Sequence, residues 1–325
     1  SGDGSYTNYI SLSNNGYYGI TNSLGGSTNL TVTNLTYATG PLGPWYVNTN
    51  LPTVVNMGSR SAAAAGLADY TMFTNQITDG GTVDIGFHYV ASAIRPGFNQ
   101  QSLTNNDDNE DVNNLLATIG FSVNFFGTTY TNLYVNNNGN VTFGTNFDVF
   151  TPTNLVNLGT NIIAPFWADV DTRVAGSALV TYGTNTVGGH AAFGVTWPYV
   201  GYYNEEEDKL NSFQLVIIDR SDRASGDYDV EFDYAQIQWE AGDVSGGCDG
   251  LWTGFDCAGN DWGGCSARAG YASISGSTFE FNGSGVAGAL LDSNSTTGLI
   301  YHDFNSIVPG RYVFQFHSGA PLETP

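Results

Sequence analysis

Apolar positions in this chain recur mostly at every second residue, the period of a strand that buries one face. Tyr134-Val135-Asn136-Asn137 and Val141-Thr142-Phe143 flank Asn138-Gly139-Asn140, which predicts a hairpin about a Gly-centred turn. Ser212-Phe213-Gln214-Leu215-Val216-Ile217-Ile218-Asp219 reads as a buried strand. Asp229-Val230-Glu231-Phe232-Asp233-Tyr234 is its alternating partner across an Asp/Ser/Gly-rich turn, and Arg311-Tyr312-Val313-Phe314-Gln315-Phe316-His317 is a closing strand. Helical signals are scarce. Ser61 ahead of four alanines predicts a short capped helix that Gly66 weakens, and residues 110–118 form a second, weaker candidate. No apolar run approaches the roughly 20 residues that span a bilayer; the strand cores are as short as Leu215-Val216-Ile217-Ile218. The expected class is all-β.

The texture changes near residues 91–104, where Ala91-Ser92-Ala93-Ile94-Arg95-Pro96-Gly97 reads as a linker. The chain therefore divides into a small β-rich module over 1–92, a linker over 93–104, a large β-sandwich over 105–319 and a tail over 320–325. Composition then narrows the function. The 325 residues carry 30 carboxylates against 8 lysines and arginines, a net charge of -22 that excludes binding to nucleic acid through a basic face and disfavours an anionic membrane surface. Charged residues make up 12%, about half the usual share, while 42 glycines and 14% aromatics suit a loop-rich extracellular β protein. Ser1-Gly2-Asp3-Gly4 reads as a mature or excised end rather than a gene start, consistent with a secreted or cell-surface protein.

From Asn105 onward the chain resembles the NIDO domain, the nidogen-like extracellular module. The resemblance is carried by Ile119-Gly120-Phe121-Ser122-Val123-Asn124-Phe125-Phe126-Gly127, by 134–144, and by Ile162-Ile163-Ala164-Pro165-Phe166-Trp167-Ala168-Asp169-Val170-Asp171-Thr172-Arg173. Leu210 to Ile217, Gln238-Trp239-Glu240-Ala241-Gly242-Asp243 and Ser266-Ala267-Arg268-Ala269-Gly270-Tyr271 continue it in order. The resemblance implies a β-sandwich, an extracellular adhesive or matrix role of the kind found among bacterial surface members of the family, and no catalytic residues. Residues 1–90 resemble the end region of bacterial surface β-helix proteins, through Thr39-Gly40-Pro41-Leu42-Gly43-Pro44-Trp45-Tyr46, Gly58-Ser59-Arg60-Ser61-Ala62 and Val83-Asp84-Ile85-Gly86-Phe87-His88-Tyr89. Without a long run of coils ahead of it, that module is expected to present an open sheet edge, a template for another strand.

The candidate chemistry is sparse. Gly283-Ser284-Gly285-Val286-Ala287-Gly288 satisfies G-x-G-x-x-G, but Asn294-Ser295-Thr296-Thr297-Gly298 stops any following helix and no βαβ unit surrounds it, so it reads as a loop. Asp107, Asn109 and Asp111 copy the first three ligand positions of an EF-hand loop, with Val112 in place of the required Gly and Thr118 in place of the closing Glu. Asp169 and Asp171 fall on one face of a strand end. Hard oxygen ligands in either place could gather Ca²⁺; solvated turn acids are the plainer reading. Cys248, Cys257 and Cys265 share a Gly-rich loop in which any one of three pairings would leave a thiol over, and no C-x-x-C or histidine there suggests zinc. Trp252, Phe255 and Trp262 in that loop either cover the core or form a patch for sugar or a partner. Asn29, Asn34, Asn140, Asn282 and Asn294 head N-x-S/T sequons, about as many as an Asn-, Ser- and Thr-rich composition places by chance. His88, His190, His302 and His317 lack metal spacing, no G-x-S-x-G elbow exists, and no spacing marks a glycosidase pair among the acids. The expectation is a non-enzymatic extracellular protein that self-assembles by strand addition, with Tyr6, Asn8, Ile10 and Leu12 as one face of a donor strand. The alternative is a calcium-dependent carbohydrate-binding module, with glycans or matrix proteins as partners.

Overall fold

The computed structural model describes residues 16–18, 30–32, 36–40, 43–47, 54–67, 70–74, 79, 81–90, 92–108, 116–156, 158–306 and 308–325. The chain divides into two compact units, Ser1–Ser92 and Ala93–Pro325. In the first, β1 (Gly16–Tyr18) pairs in parallel with β2 (Leu30–Val32). β3 (Tyr37–Gly40) pairs antiparallel with β4 (Gly43–Val47), and β5 (Tyr70–Thr71) with β6 (Tyr89–Val90). The capped helix forms as α1 (Ala62–Ala65): the Ser61 hydroxyl accepts from the Ala64 N–H, and Gly66 ends the helix in the left-handed region. Val47, Val54, Met72 and Phe73 form a small apolar core within this unit.

The second unit is a sandwich of two antiparallel sheets. Its strands are β7 (Gln101–Ser102), β8 (Leu116–Phe125), β9 (Thr128–Asn136), β10 (Asn140–Phe143), β11 (Asn161–Trp167), β12 (Val170–Asp171) and β13 (Thr181–Val187). They continue as β14 (His190–Tyr202), β15 (Glu206–Asp219), β16 (Tyr228–Gln236), β17 (Gly247–Cys248), β18 (Leu251–Trp252), β19 (Arg268–Ala272), β20 (Thr278–Glu280), β21 (Arg311–His317) and β22 (Ala320–Pro321). One sheet runs β20-β19-β11-β10-β9-β8. The other runs β22-β21-β16-β15-β14-β13-β7, with β12 on β14, while β17 and β18 form a hairpin of their own. The alternation in the sequence is what closes it. Val123, Phe125, Val135 and Val141 from one sheet meet Leu215, Ile217, Val230, Phe232, Phe314 and Phe316 from the other in one apolar layer. The hairpin about Gly139, the β15–β16 pair and β21 all form as their periodicity predicts.

Two expectations differ. Residues 116–118 belong to β8 and not to a helix, because Leu116, Ala117, Thr118 and Ile119 alternate exposed and buried against the core. The segment 93–104, expected as a linker, is bonded along the outer face of the eight-stranded sheet. The Arg95 backbone exchanges hydrogen bonds with the Gln214 amide, and the Arg95 guanidinium grips Glu231 at 2.5 and 2.8 Å. Phe98 packs on Ala192, Val216 and Ile218, and β7 pairs with β13. This cover explains why the polar face of β16 is buried. Asp229 pairs with Arg220 and Arg223, Glu231 with Arg95, and Asp233 with Arg311, whose guanidinium also donates to the Ala93 carbonyl.

Candidate functional site

The turn between β11 and β12 builds a buried acidic pocket. Along 166–171 the side chains alternate: Phe166, Ala168 and Val170 enter the core between the sheets, and Trp167 turns outward onto Phe147. Asp169 and Asp171 are thereby left on a common side, as their spacing predicts. The hairpin turn reaches across to hold them. Asn138 accepts from the Val170 N–H at 2.9 Å and donates to Asp108 at 2.8 Å, and Asn137 donates to the Val170 carbonyl at 2.5 Å. Asn106 and Thr172 exchange backbone and hydroxyl hydrogen bonds at 3.0 Å, which lays residues 106–108 beside β12 and bridges Asp107 to Asp171.

The acids then take different roles. Asp171 is committed to Arg173, whose Nε and Nη2 meet its two oxygens at 2.9 and 2.5 Å; Nη2 also reaches Asp107 at 3.1 Å. Asp169 is 1% exposed. Its Oδ2 accepts from the Ser245 hydroxyl at 2.9 Å and lies so close over Gly242 that a Cβ there would come within 2.5 Å of it. Burial pushes the Asp169 carboxyl well above the usual range, and the nearby charge of Asp108, followed by those of Asp107 and Asp171, pushes it the same way against the Ser245 bond. One oxygen from each of Asp107, Asp108 and Asp169 lies within 4.8 Å of the others. The structure thus brings together members of two motifs read separately, with Asp171 paired to Arg173 beside them. Asn109 and Asp111 lie outside the described residues. EF-hand spacing steps over Asp108, since it marks alternate residues; the adjacent acid pair Asp107-Asp108 is the signal in the sequence.

The cysteine loop resolves one pairing. The β17–β18 hairpin turns the chain back so that Cys248 bonds Cys257, while the Cys265 thiol rests 3.0 Å from the Pro152 carbonyl and 3.3 Å from Arg268 Nε. Phe255 and Trp262 are exposed, at 51% and 56%, and Trp262 donates its indole N–H to Asp256; Trp252 is half-buried. For Phe255 and Trp262 the core-covering reading therefore fails. The G-x-G-x-x-G stretch is a loop held by Glu240, whose buried carboxylate accepts from the Gly288 and Trp252 N–H groups and the Ser266 hydroxyl. Among the sequons, Asn140 is fully buried in β10 and hydrogen-bonded to Asn136, so the folded chain has no room there for a glycan. Asn282 is exposed, and Asn294 is half-buried and accepts from the Thr296 and Thr297 N–H groups. Asn29, Asn34, Tyr6, Asn8, Ile10 and Leu12 lie outside the described residues.

The family model described as NIDO related matches residues 87–261, more than half of the chain. The chain belongs to the NIDO-related family. Human alpha-tectorin is 30% identical over 222 residues, covering 61% of this chain and 9% of that protein, and mouse alpha-tectorin is 32% identical over the same shares. Drosophila melanogaster nidogen is 27% identical over 238 residues, 66% of this chain and 15% of that one. The chain thus spans a small fraction of the curated relatives it matches. No solved structure matches it. The NIDO-related stretch contains the acidic pocket and the Cys248–Cys257 loop, and it ends before β19 to β22, which complete both sheets.

Proposed function

We propose that this chain is a non-enzymatic structural module of an extracellular assembly, and that it joins copies of itself by strand addition. The observation that carries the first part is family membership over the sandwich, with alpha-tectorin and nidogen aligned to the same portion. Among the described residues no helix is long and apolar enough to cross a membrane. The second part is supported by the sheet ends. β8 is the last strand of its sheet, ten residues long, with Leu116, Thr118 and Gly120 exposed in alternation. Beside it a cleft of about 250 Å³ is lined by Gln101, Thr118, Tyr182 and Thr184, room for the side chains of an added strand. Residues 6–12, with Tyr6, Asn8, Ile10 and Leu12 in alternation, supply a donor of suitable pattern. Sedimentation velocity and negative-stain imaging of the full chain at rising concentration test this. Assembly that disappears when residues 1–13 are deleted supports the reading, and assembly that persists in the truncated chain, or a monomer at every concentration, refutes it.

The exposed pair Phe255 and Trp262, on a loop closed by a disulfide, favours a second reading as a carbohydrate-binding surface, since aromatic faces stack on sugar rings. A glycan array run with and without chelator, repeated with Trp262→Ala, separates the two.

A further inference from the structure

Asp169 presents an unsolved electrostatic problem within the fold. Its Oδ2 is satisfied by Ser245, but Oδ1 is buried with no hydrogen-bond donor among the described residues. A buried carboxylate oxygen without a partner bears the full desolvation penalty unless positive charge reaches it. Arg173 does not provide that charge, because its guanidinium is bonded to Asp171 and Asp107. The neighbours of Asp169 add to the difficulty, since Asp107 and Asp108 each bring an oxygen within 4.8 Å of it.

A hard divalent cation removes the difficulty at every point. Two oxygens each about 2.4 Å from one Ca²⁺ are at most about 4.8 Å apart, and the three carboxylates here each bring an oxygen within that reach of the others; Mg²⁺, by contrast, demands near-ideal octahedral geometry and keeps several waters. The donors are all oxygen, the set that suits Ca²⁺ rather than a thiolate- or imidazole-seeking metal. We propose that Asp107, Asp108 and Asp169 form a Ca²⁺ site that ties residues 106–108 to the turn between β11 and β12. Asp171 and Arg173 act as positioning residues, holding Asp107 in place without touching the ion. The site closes the sandwich: it joins the segment leading into β8 to the point where the chain passes from the six-stranded sheet to the eight-stranded one.

The test is calorimetric titration of CaCl₂ into the chelator-treated full chain, with thermal unfolding in parallel. The expected result is saturable binding at or below about 1 mM, the range of extracellular modules, and a rise in Tm on the order of 5 °C at a hundredfold excess over Kd. MgCl₂ at the same concentration gives a smaller rise. Asp169→Asn lowers the affinity at least tenfold and removes the Tm rise. Asp108→Asn is the second variant, used if the first fails to fold; Asp108 is half-buried and sits at φ 54°, which Asn tolerates, and its loss also lowers affinity at least tenfold. Absence of any Ca²⁺-dependent Tm rise in the unsubstituted chain overturns the proposal. So does affinity unchanged in the folded variants, which would place the ion elsewhere, for instance at Asp79, Asp84 and His88 of the first unit.

Discussion

Gly139→Ala is expected to be among the most damaging single-methyl changes available to this chain. Gly139 is the turn residue of the β9–β10 hairpin, at φ 73°, and its carbonyl accepts the Phe166 N–H at 3.2 Å. A Cβ placed there would lie 1.7 Å from the Phe166 carbonyl oxygen and 3.3 Å from the Phe213 ring. The left-handed backbone costs an alanine about 1–2 kcal/mol. The overlap is with backbone, which cannot rotate away, so the hairpin must lift off β11; overpacking of this kind costs about 1–3 kcal/mol, and the Phe166 bond lost with it about 1 kcal/mol. The sum, roughly 3–6 kcal/mol, is a large part of a domain's usual stability of about 5–15 kcal/mol. Gly144→Ala is the internal control: Gly144 has φ 89°, but a methyl there would enter open space, so only the conformational share of about 1–2 kcal/mol remains. Urea denaturation followed by tryptophan fluorescence reads both, through Trp167, Trp197 and Trp239 in the core. If Gly139→Ala loses no more stability than Gly144→Ala, the claimed closeness of turn and strand is wrong.

Other outcomes follow from the same geometry. Burial raises the Asp292 carboxyl to about 6 against 3.8 for the free side chain, so the fold favours its protonated form; that contribution is whole below pH 3.8 and lost as pH rises through 6. The shift is nominally worth about 3 kcal/mol, but partial exposure reduces this to roughly 1–2 kcal/mol. Asp292→Asn should flatten the stability profile between pH 4 and 7 by that amount, and parallel profiles would contradict it. Arg311→Met leaves Asp233 buried without its 2.7 Å partner and should cost about 3–5 kcal/mol in urea, with Arg311→Met/Asp233→Leu recovering much of the loss. Thiol titration of the unreduced, unfolded chain should count a single free thiol, Cys265. Cys257→Ser should loosen the 248–257 loop by about 2–3 kcal/mol, measured as faster proteolysis there.

Periodicity made the strands legible because burial of one face is local information: Val230, Phe232 and Tyr234 announce an inward face wherever their partners lie. It could not show what covers the other face. Asp229, Glu231 and Asp233 mark that other face, and nothing near them in the chain announces that Arg95, 136 positions before Glu231, pairs with it. The same long-range cover hid the role of 93–104, whose Pro and Gly suggest a linker until Phe98 is seen on Val216. At the acidic pocket, residue types were readable and partnership was not. Asp171 and Asp169 are equivalent in spacing, and only the position of Arg173 makes one an ion-pair member and leaves the other with an oxygen no donor reaches. The cysteine pairing likewise depended on the β17–β18 reversal, which no spacing rule specifies.

The bond from Arg311 to the Ala93 carbonyl has a mechanical consequence. Tension arriving through residue 92 enters the sandwich at the Arg311 end of β21, and the chain leaves that strand at its far end, past His317. Once the short β22 has peeled away, the pull runs lengthwise along β21, whose pairs with β16 from Asp233–Arg311 to Tyr228–Phe316 must slip together rather than unzip in turn. The exit segment is also moored to the opposite layer, where the Gly319 carbonyl accepts the Phe126 N–H just past β8, so that tether parts before β21 bears the strain alone.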